Sequence, residues 1–288
     1  MSQWNGKSKG NVIGYRIFLT TIKYFGVSCA YLILRFVTFY YFIFAKKTRK
    51  PIEEFYLNSL KFSKKKASSI TKKNFYYFGQ TLVDRSAFLL NRGDKFTYTF
   101  NNEQYLLDIR NAGKGGILLS GHIGNWEIAG NLLKSRITSK INVLMLDEEN
   151  EKIKQYLKGT TGGSHFNIIP IKNDLSHVIK VHNALTNNEF VAIHADRYLE
   201  GAKFIELNFL GKKAKFPLGP FILASKFNAP VTFVFAVKER KFHYLLSATT
   251  PITEKHTAER LAEKFAAELE KKVILHPEQW FNYFDFYK

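Results

Sequence analysis

Seven consecutive residues, Gly121-His122-Ile123-Gly124-Asn125-Trp126-Glu127, concentrate the chemistry of this chain. The apolar segment Ile117-Leu118-Leu119-Ser120 leads into them, and a helical pattern over Trp126 to Ser135 follows. A strand end that turns into a helix start is where open α/β sheets place ligands. The two glycines permit a tight, left-handed path that brings the side chains of His122 and Glu127 together. An imidazole held by a carboxylate is a general base, because the carboxylate fixes the tautomer and stabilises the imidazolium as the proton arrives. Such a base suits a hydroxyl or amine attacking a carbonyl, and backbone N–H groups near Gly124 are candidate donors to the oxyanion. No serine or cysteine lies inside the turn to act as a nucleophile: Ser120 precedes it, and Cys29 is far upstream. The spacing therefore points to direct transfer without a covalent enzyme intermediate. A structural histidine capping the helix is the alternative that spacing alone leaves open.

Other residues carry weaker signals. Asp196 follows the apolar segment Phe190 to His194 and is a candidate positioning carboxylate; Arg197 beside it is a candidate anion ligand. The loop lysines Lys212, Lys213 and Lys215 are candidate phosphate contacts, with a solvated loop as the alternative. The remaining histidines show no metal spacing, and His194-x-Asp196 has no third ligand. The single cysteine excludes an internal disulfide and a cysteine-based zinc site. Gly113-Lys114-Gly115-Gly116 lacks the Lys-Ser/Thr ending of a phosphate-binding loop and leads into a strand.

The elements that must position these residues alternate. Strands are expected over Phe96–Phe100, Ile117–Ser120, Ile141–Leu146, Phe166–Pro170, Phe190–His194, Phe204–Phe209, Pro230–Val237 and Phe242–Ser247. Helices are expected over 52–62, 69–91, Glu103–Ala112, Trp126–Ser135, Glu148–Lys158, Asp174–Leu185, Gly219–Phe227 and Thr257–Lys272, with Pro51 as a break. The alternation predicts an α/β fold, a mixed central sheet flanked by helices, with 230–247 as an antiparallel hairpin. The phenylalanines at 209, 216 and 221, with the strand before His122, are expected to wall an apolar groove.

Of 288 residues, 43 are basic and 24 acidic, a net charge of +19. Residues 1–73 hold 15 of the basic residues and only 2 of the acidic ones. This basic stretch contains Tyr24 to Ala45, 22 residues with one charge, Arg35, followed at once by Lys46, Lys47, Arg49 and Lys50. The length matches the roughly 20 residues that cross a bilayer core. Three readings stand: a monotopic or re-entrant anchor, a true span, or a soluble core helix pair. The flanking charge fits anionic lipid headgroups, and positive-inside counting puts the body on the cytoplasmic side. The expected division is a membrane-anchoring segment over 1–50 and one α/β domain over 51–288. No zinc finger, helix-turn-helix or RNA-binding aromatic pair supports nucleic-acid binding. A basic membrane-binding protein without catalysis is the competing class.

The same residues resemble a known family. Gly121 to Glu127 is similar to the His-x4-Asp/Glu block of the lysophospholipid acyltransferase superfamily, and its Asn125-Trp126-Glu127 ending resembles the lipid A lauroyl/myristoyl acyltransferase branch. Asp196-Arg197, Phe209-Leu210-Gly211, Phe216-Pro217, Gly219-Pro220 and His276-Pro277-Glu278-Gln279-Trp280 resemble further blocks of that branch, in order. The resemblance spans nearly the whole chain, including the N-terminal apolar segment. It implies a glycerolipid-acyltransferase-like fold at the cytoplasmic face of an inner membrane, with His122 and Glu127 catalytic. Gly124, Asn125, Asp196, Arg197, Lys158, Phe209, Gly211 and Phe216 would bind or position substrate. It implies an acyl thioester of acyl carrier protein or coenzyme A as co-substrate, no bound cofactor or metal, and a lipid hydroxyl as acceptor. Where that branch commonly has arginines between the His and Asp blocks, this chain has Lys152, Lys154 and Lys158. An amino-acid lipid, lysophospholipid or pigment alcohol is thus an alternative acceptor.

Overall fold

The computed structural model describes residues 12–133, 137, 139–145, 167–172, 174–198 and 200–287. Its strands are β1 (Thr97–Asn101), β2 (Gly116–Ser120), β3 (Ile141–Met145), β4 (Asn167–Pro170), β5 (Phe190–His194), β6 (Phe204–Phe209), β7 (Lys212–Pro217), β8 (Val231–Arg240) and β9 (His243–Ala248). Seven of them form one sheet in the order β1-β9-β8-β2-β5-β3-β4. β8, β2, β5, β3 and β4 run parallel, and β9 returns antiparallel to β8 as the expected hairpin. Central parallel strands are buried on both faces, which is why 117–119 and 190–193 read as unbroken apolar runs.

The two-residue period sorts those runs to two cores. Ile117, Leu119, Val191, Ile193, Phe233 and Phe235 join one cluster with Leu261, Phe265 and Leu269. These last three form the apolar stripe of a helix over Ala258–Leu275, whose N-terminus is capped by the Thr257 hydroxyl. Leu118, Phe190, Ala236 and Leu246 join the other cluster, with Ile128, Val83 and Leu34.

Helix α1 (Val12–Phe44) packs on that second face, α2 (Lys46–Asn58) gives Ile52, Phe55 and Tyr56 to the first cluster, and α3 (Lys64–Leu89) reaches both; α4 (Glu103–Asn111) and α5 (Trp126–Leu133) follow on the second. The apolar run is α1, kinked at Gly26, where φ is 80°. One stripe of it, Val27, Ala30, Tyr31, Leu34 and Thr38, is buried. Leu34 lies over Gly79 of α3, where any Cβ would stand 2.5 Å from its Cδ1. Tyr31 donates to the carboxylate of Asp84, which also receives the Tyr244 hydroxyl and, at 2.5 Å, Lys238 Nζ. A buried charge needs such partners, and here they tie α1, α3 and the β8–β9 hairpin into one network. The opposite face of α1 stays apolar and exposed: Phe25 is 72% accessible, Phe36 71% and Phe44 66%.

Two expectations change. Pro51 does not break the chain but sits inside α2; the interruption falls at Ala45. As the sixth residue of the helix, the proline forfeits the N–H bond to the Lys47 carbonyl, and its ring crowds that carbonyl. The lysines at 212, 213 and 215 are not a loop but strand β7, paired with β6 around Leu210-Gly211. Only Ala214 and Phe216 point inward from it, too few to reveal a strand by period. The helix expected over Glu148–Lys158 lies outside the described residues.

Candidate active site

Strands β2 and β5 are parallel neighbours, and Ser120 at the end of one pairs with His194 at the end of the other. Two residues further on stand His122 and Asp196. Parallel strands carry equal steps to the same sheet edge, so the register alone makes these two side chains meet. Asp196 Oδ2 accepts the His122 backbone N–H at 2.8 Å, and Oδ1 lies 2.6 Å from His122 Nδ1. A second donor, Trp280 Nε1–H, reaches Oδ2 at 3.4 Å. An ionised carboxylate only accepts, so the imidazole proton resides on Nδ1 and Nε2 keeps its lone pair.

The spacing of the turn gave this carboxylate role to Glu127. The structure puts Asp196 on Nδ1, and Glu127, in the first turn of α5, pairs with Arg85 Nε of α3 at 2.9 Å. Sequence separation hid the first pairing, because only strand register reveals that 122 and 196 adjoin. No pattern around Arg85 signalled the second.

The turn itself is woven into the sheet. Gly124 takes φ +70°, and a Cβ there would stand 1.9 Å from the Ala236 carbonyl oxygen, so only glycine fits. Gly124 N–H donates to Gln279 O at 2.9 Å, Asn125 N–H to Ala236 O at 2.7 Å, and Phe281 N–H to His122 O at 3.0 Å. The first two were candidate oxyanion donors from sequence; both already have acceptors in the fold. Asn125 is buried, and its Oδ1 accepts the Ile128 N–H at 3.4 Å, the position of a helix cap. The block from His276 to Phe281 thus buttresses the turn: the Gln279 side chain also bonds Lys238 N–H at 2.7 Å and its carbonyl at 2.8 Å.

Phe209 and Phe216 are fully buried against Phe286, with Phe209 also on Trp280, and Phe221 packs on Phe265. They are core, on the sheet face opposite α5, and not the groove wall expected of them. Gly211, at φ +77°, serves the β6–β7 turn. Lys158 lies outside the described residues. The apolar cavity that does adjoin the site lies on the other face. Leu118, Ser120, Trp126, Ala129, Ala192, His194 and Ala236 line it, together with Phe100, Leu106 and Leu246. Of the expected wall, the strand before His122 is present there.

Charge at the site is tuned by burial. Burial, then the nearby Arg197 guanidinium, lowers the pKa of His122 below 6.5, while Asp196 opposes them. Burial alone would raise the Asp196 carboxyl, but His122 and Arg197 outweigh it and hold it well below the usual carboxylate range. Arg197 donates to Phe281 O at 2.6 Å, and burial pushes it down to about 10. The ring of His122 lies against His194 at a 33° tilt, centroids 4.3 Å apart, and Trp126 meets His194 edge-on at 5.4 Å. Among the described residues no cluster of His, Cys, Asp and Glu is arranged to hold a metal ion. The arrangement sets an imidazole, with a buried carboxylate on its Nδ1, beside an apolar cavity. Residues 11–285 match the family described as bacterial lipid A biosynthesis acyltransferase. No curated protein matches the chain.

Proposed function

The chain belongs to the bacterial lipid A biosynthesis acyltransferases, and we propose that it moves a fatty acyl group from a thioester directly to a lipid hydroxyl, with His122 as general base. The donor is an acyl group on acyl carrier protein or coenzyme A. Acyl carrier proteins are acidic as a class, which suits electrostatic steering by a chain of net charge +19. The observation that carries the reading is the 2.6 Å contact of His122 Nδ1 with a buried aspartate beside an apolar cavity.

His122 Nε2 takes the proton as the acceptor oxygen bonds to the thioester carbonyl carbon. Asp196 then faces an imidazolium, so its attraction is greater in the transition state than before it. The tetrahedral carbon expels the thiolate, which takes the proton back from His122. Glu127, held by Arg85, and the cation of Arg197 position the acceptor, whose class is a phosphorylated glycolipid or a related anionic lipid. An acyl chain in the cavity gains about 0.8 kcal/mol per buried methylene. Rates should therefore rise about fourfold per added carbon until the cavity is full. Assays with donors from C4 to C14 check this; equal rates for all would remove the cavity from the account.

The enzyme is membrane-associated, and we place it on the cytoplasmic face of the inner membrane. Residues 1–50 are its docking segment and 51–288 its catalytic domain, with Tyr31 joining the two. Helix α1 lies along the interface, because its inner stripe is occupied by the body while its outer face offers Phe25, Leu32, Phe36 and Phe44 to lipid. Lys72 of α3 lies over Phe39 at 5.1 Å, which sets basic residues beside that face for anionic headgroups. Tags at both chain ends in sealed inside-out vesicles should both be cut by added protease. Protection of the N-terminal tag alone would make α1 a span.

A further inference from the structure

The proposed transfer needs a donor to the oxyanion, and in the turn the N–H groups of His122, Gly124 and Asn125 already donate to Asp196, Gln279 and Ala236. His194 has the opposite condition. Its Nε2 is sealed from solvent and has no hydrogen-bond partner among the described residues. A buried polar nitrogen left unpaired is costly, so an unpartnered one beside a site calls for a ligand atom. His194 is the last residue of β5; its ring lies tilted against His122 with centroids 4.3 Å apart and forms part of the cavity wall next to Trp126. His122 does not line that cavity. An acyl chain lying in it therefore has its carbonyl end at His194, where the cavity gives way to the base.

We propose that His194 is a further catalytic residue, its Nε2–H donating to the thioester carbonyl oxygen once the acyl group is bound. The inference rests on the acyl-transfer reading above and assigns a role to a residue which that reading leaves idle. Burial, then the neighbouring His122, pushes the His194 pKa down to about 3, so the ring is neutral at working pH. A neutral imidazole donates one hydrogen bond without giving up its proton, and such a ring polarises a carbonyl well. No bond to His194 forms or breaks. The acceptor oxygen bonds to carbon, the carbonyl π pair moves to oxygen, and that oxyanion is held by the His194 N–H. The pair returns as the carbon–sulfur bond breaks, and the proton passes from acceptor to His122 to thiolate.

The test uses the full-length chain with dodecanoyl-pantetheine labelled with carbon-13 at the carbonyl. His194→Phe should lower kcat about 10²–10³-fold, the loss typical of one oxyanion donor, with donor KM changed only a few-fold. His194→Gln, which retains an N–H, should recover part of that rate. In the H122A background, which holds the donor without turning it over, infrared difference spectra should show the carbonyl stretch shifted to lower frequency. Adding His194→Phe should abolish that shift. Full turnover by the phenylalanine variant, or an unshifted carbonyl with His194 present, would overturn the assignment. So would equal losses in both His194 variants that follow their melting temperatures. If H122A itself turns over at the normal rate, it is the acyl-transfer reading that fails.

Discussion

Replacing His122 by alanine lowers kcat by about 10²–10⁴-fold, the usual contribution of a positioned base, and leaves donor affinity nearly unchanged. The methyl group of alanine can neither accept the acceptor's proton nor hand it to the thiolate, whereas the cavity that binds the acyl chain is untouched. Wild-type kcat/KM should also fall on the acid side. The base works only when neutral, so activity is present above the folded pKa of His122 and disappears as pH drops through it. Burial and Arg197 depress that pKa, so the limb should have its midpoint below 6.5, and kcat/KM should be flat from there to neutral pH. A midpoint above 6.5 would mean that Asp196 dominates the environment of the ring, or that another group is the base.

The second large effect is at Asp196. Asp196→Asn should lower kcat by up to about 10⁴-fold, because an amide can present its N–H to Nδ1 and drive the proton onto Nε2, the wrong tautomer for a base. The substitution is nearly isosteric, so packing against Trp280 should persist and thermal unfolding should be close to wild type. Glu127→Gln should cost less, since Glu127 is paired with Arg85 and not with the Nδ1 that Asp196 holds. Side-by-side kinetics of the two variants decide which carboxylate serves the imidazole. A larger loss at Glu127 than at Asp196 would return the role to the residue that the turn spacing favours.

Much of the fold was legible because its elements carry strong local signals. β2 and β5 are continuous apolar runs bounded by turns, and the 258–275 helix repeats a leucine or phenylalanine every fourth residue with a threonine cap before it. β7 was not legible, because four of its six residues, among them three lysines, face outward or lie at the hairpin ends. At the site, the His122 turn stood out through its glycines and its spacing. The carboxylate that lies on Nδ1 did not, because contact between 122 and 196 is a property of parallel register, which no local pattern encodes. The phenylalanines at 209 and 216 misled for a similar reason: hydrophobicity says that a ring is buried, but the sheet face decides whether it meets core or cavity. The apolar N-terminal run was legible in length and polarity. That one stripe of it is committed to the body followed from the packing of Leu34 over Gly79 and from Tyr31 reaching Asp84 and Lys238.

Direct transfer, with no acyl group resting on the enzyme, is the claim on which the rest depends, and intact-protein mass spectrometry tests it. The enzyme is mixed with labelled acyl donor in the absence of acceptor, quenched in acid at intervals spanning one turnover, and weighed. The account predicts an unchanged protein mass at every interval, and label appearing in lipid only when acceptor is added. A covalent acyl adduct that forms and decays as fast as turnover would contradict it.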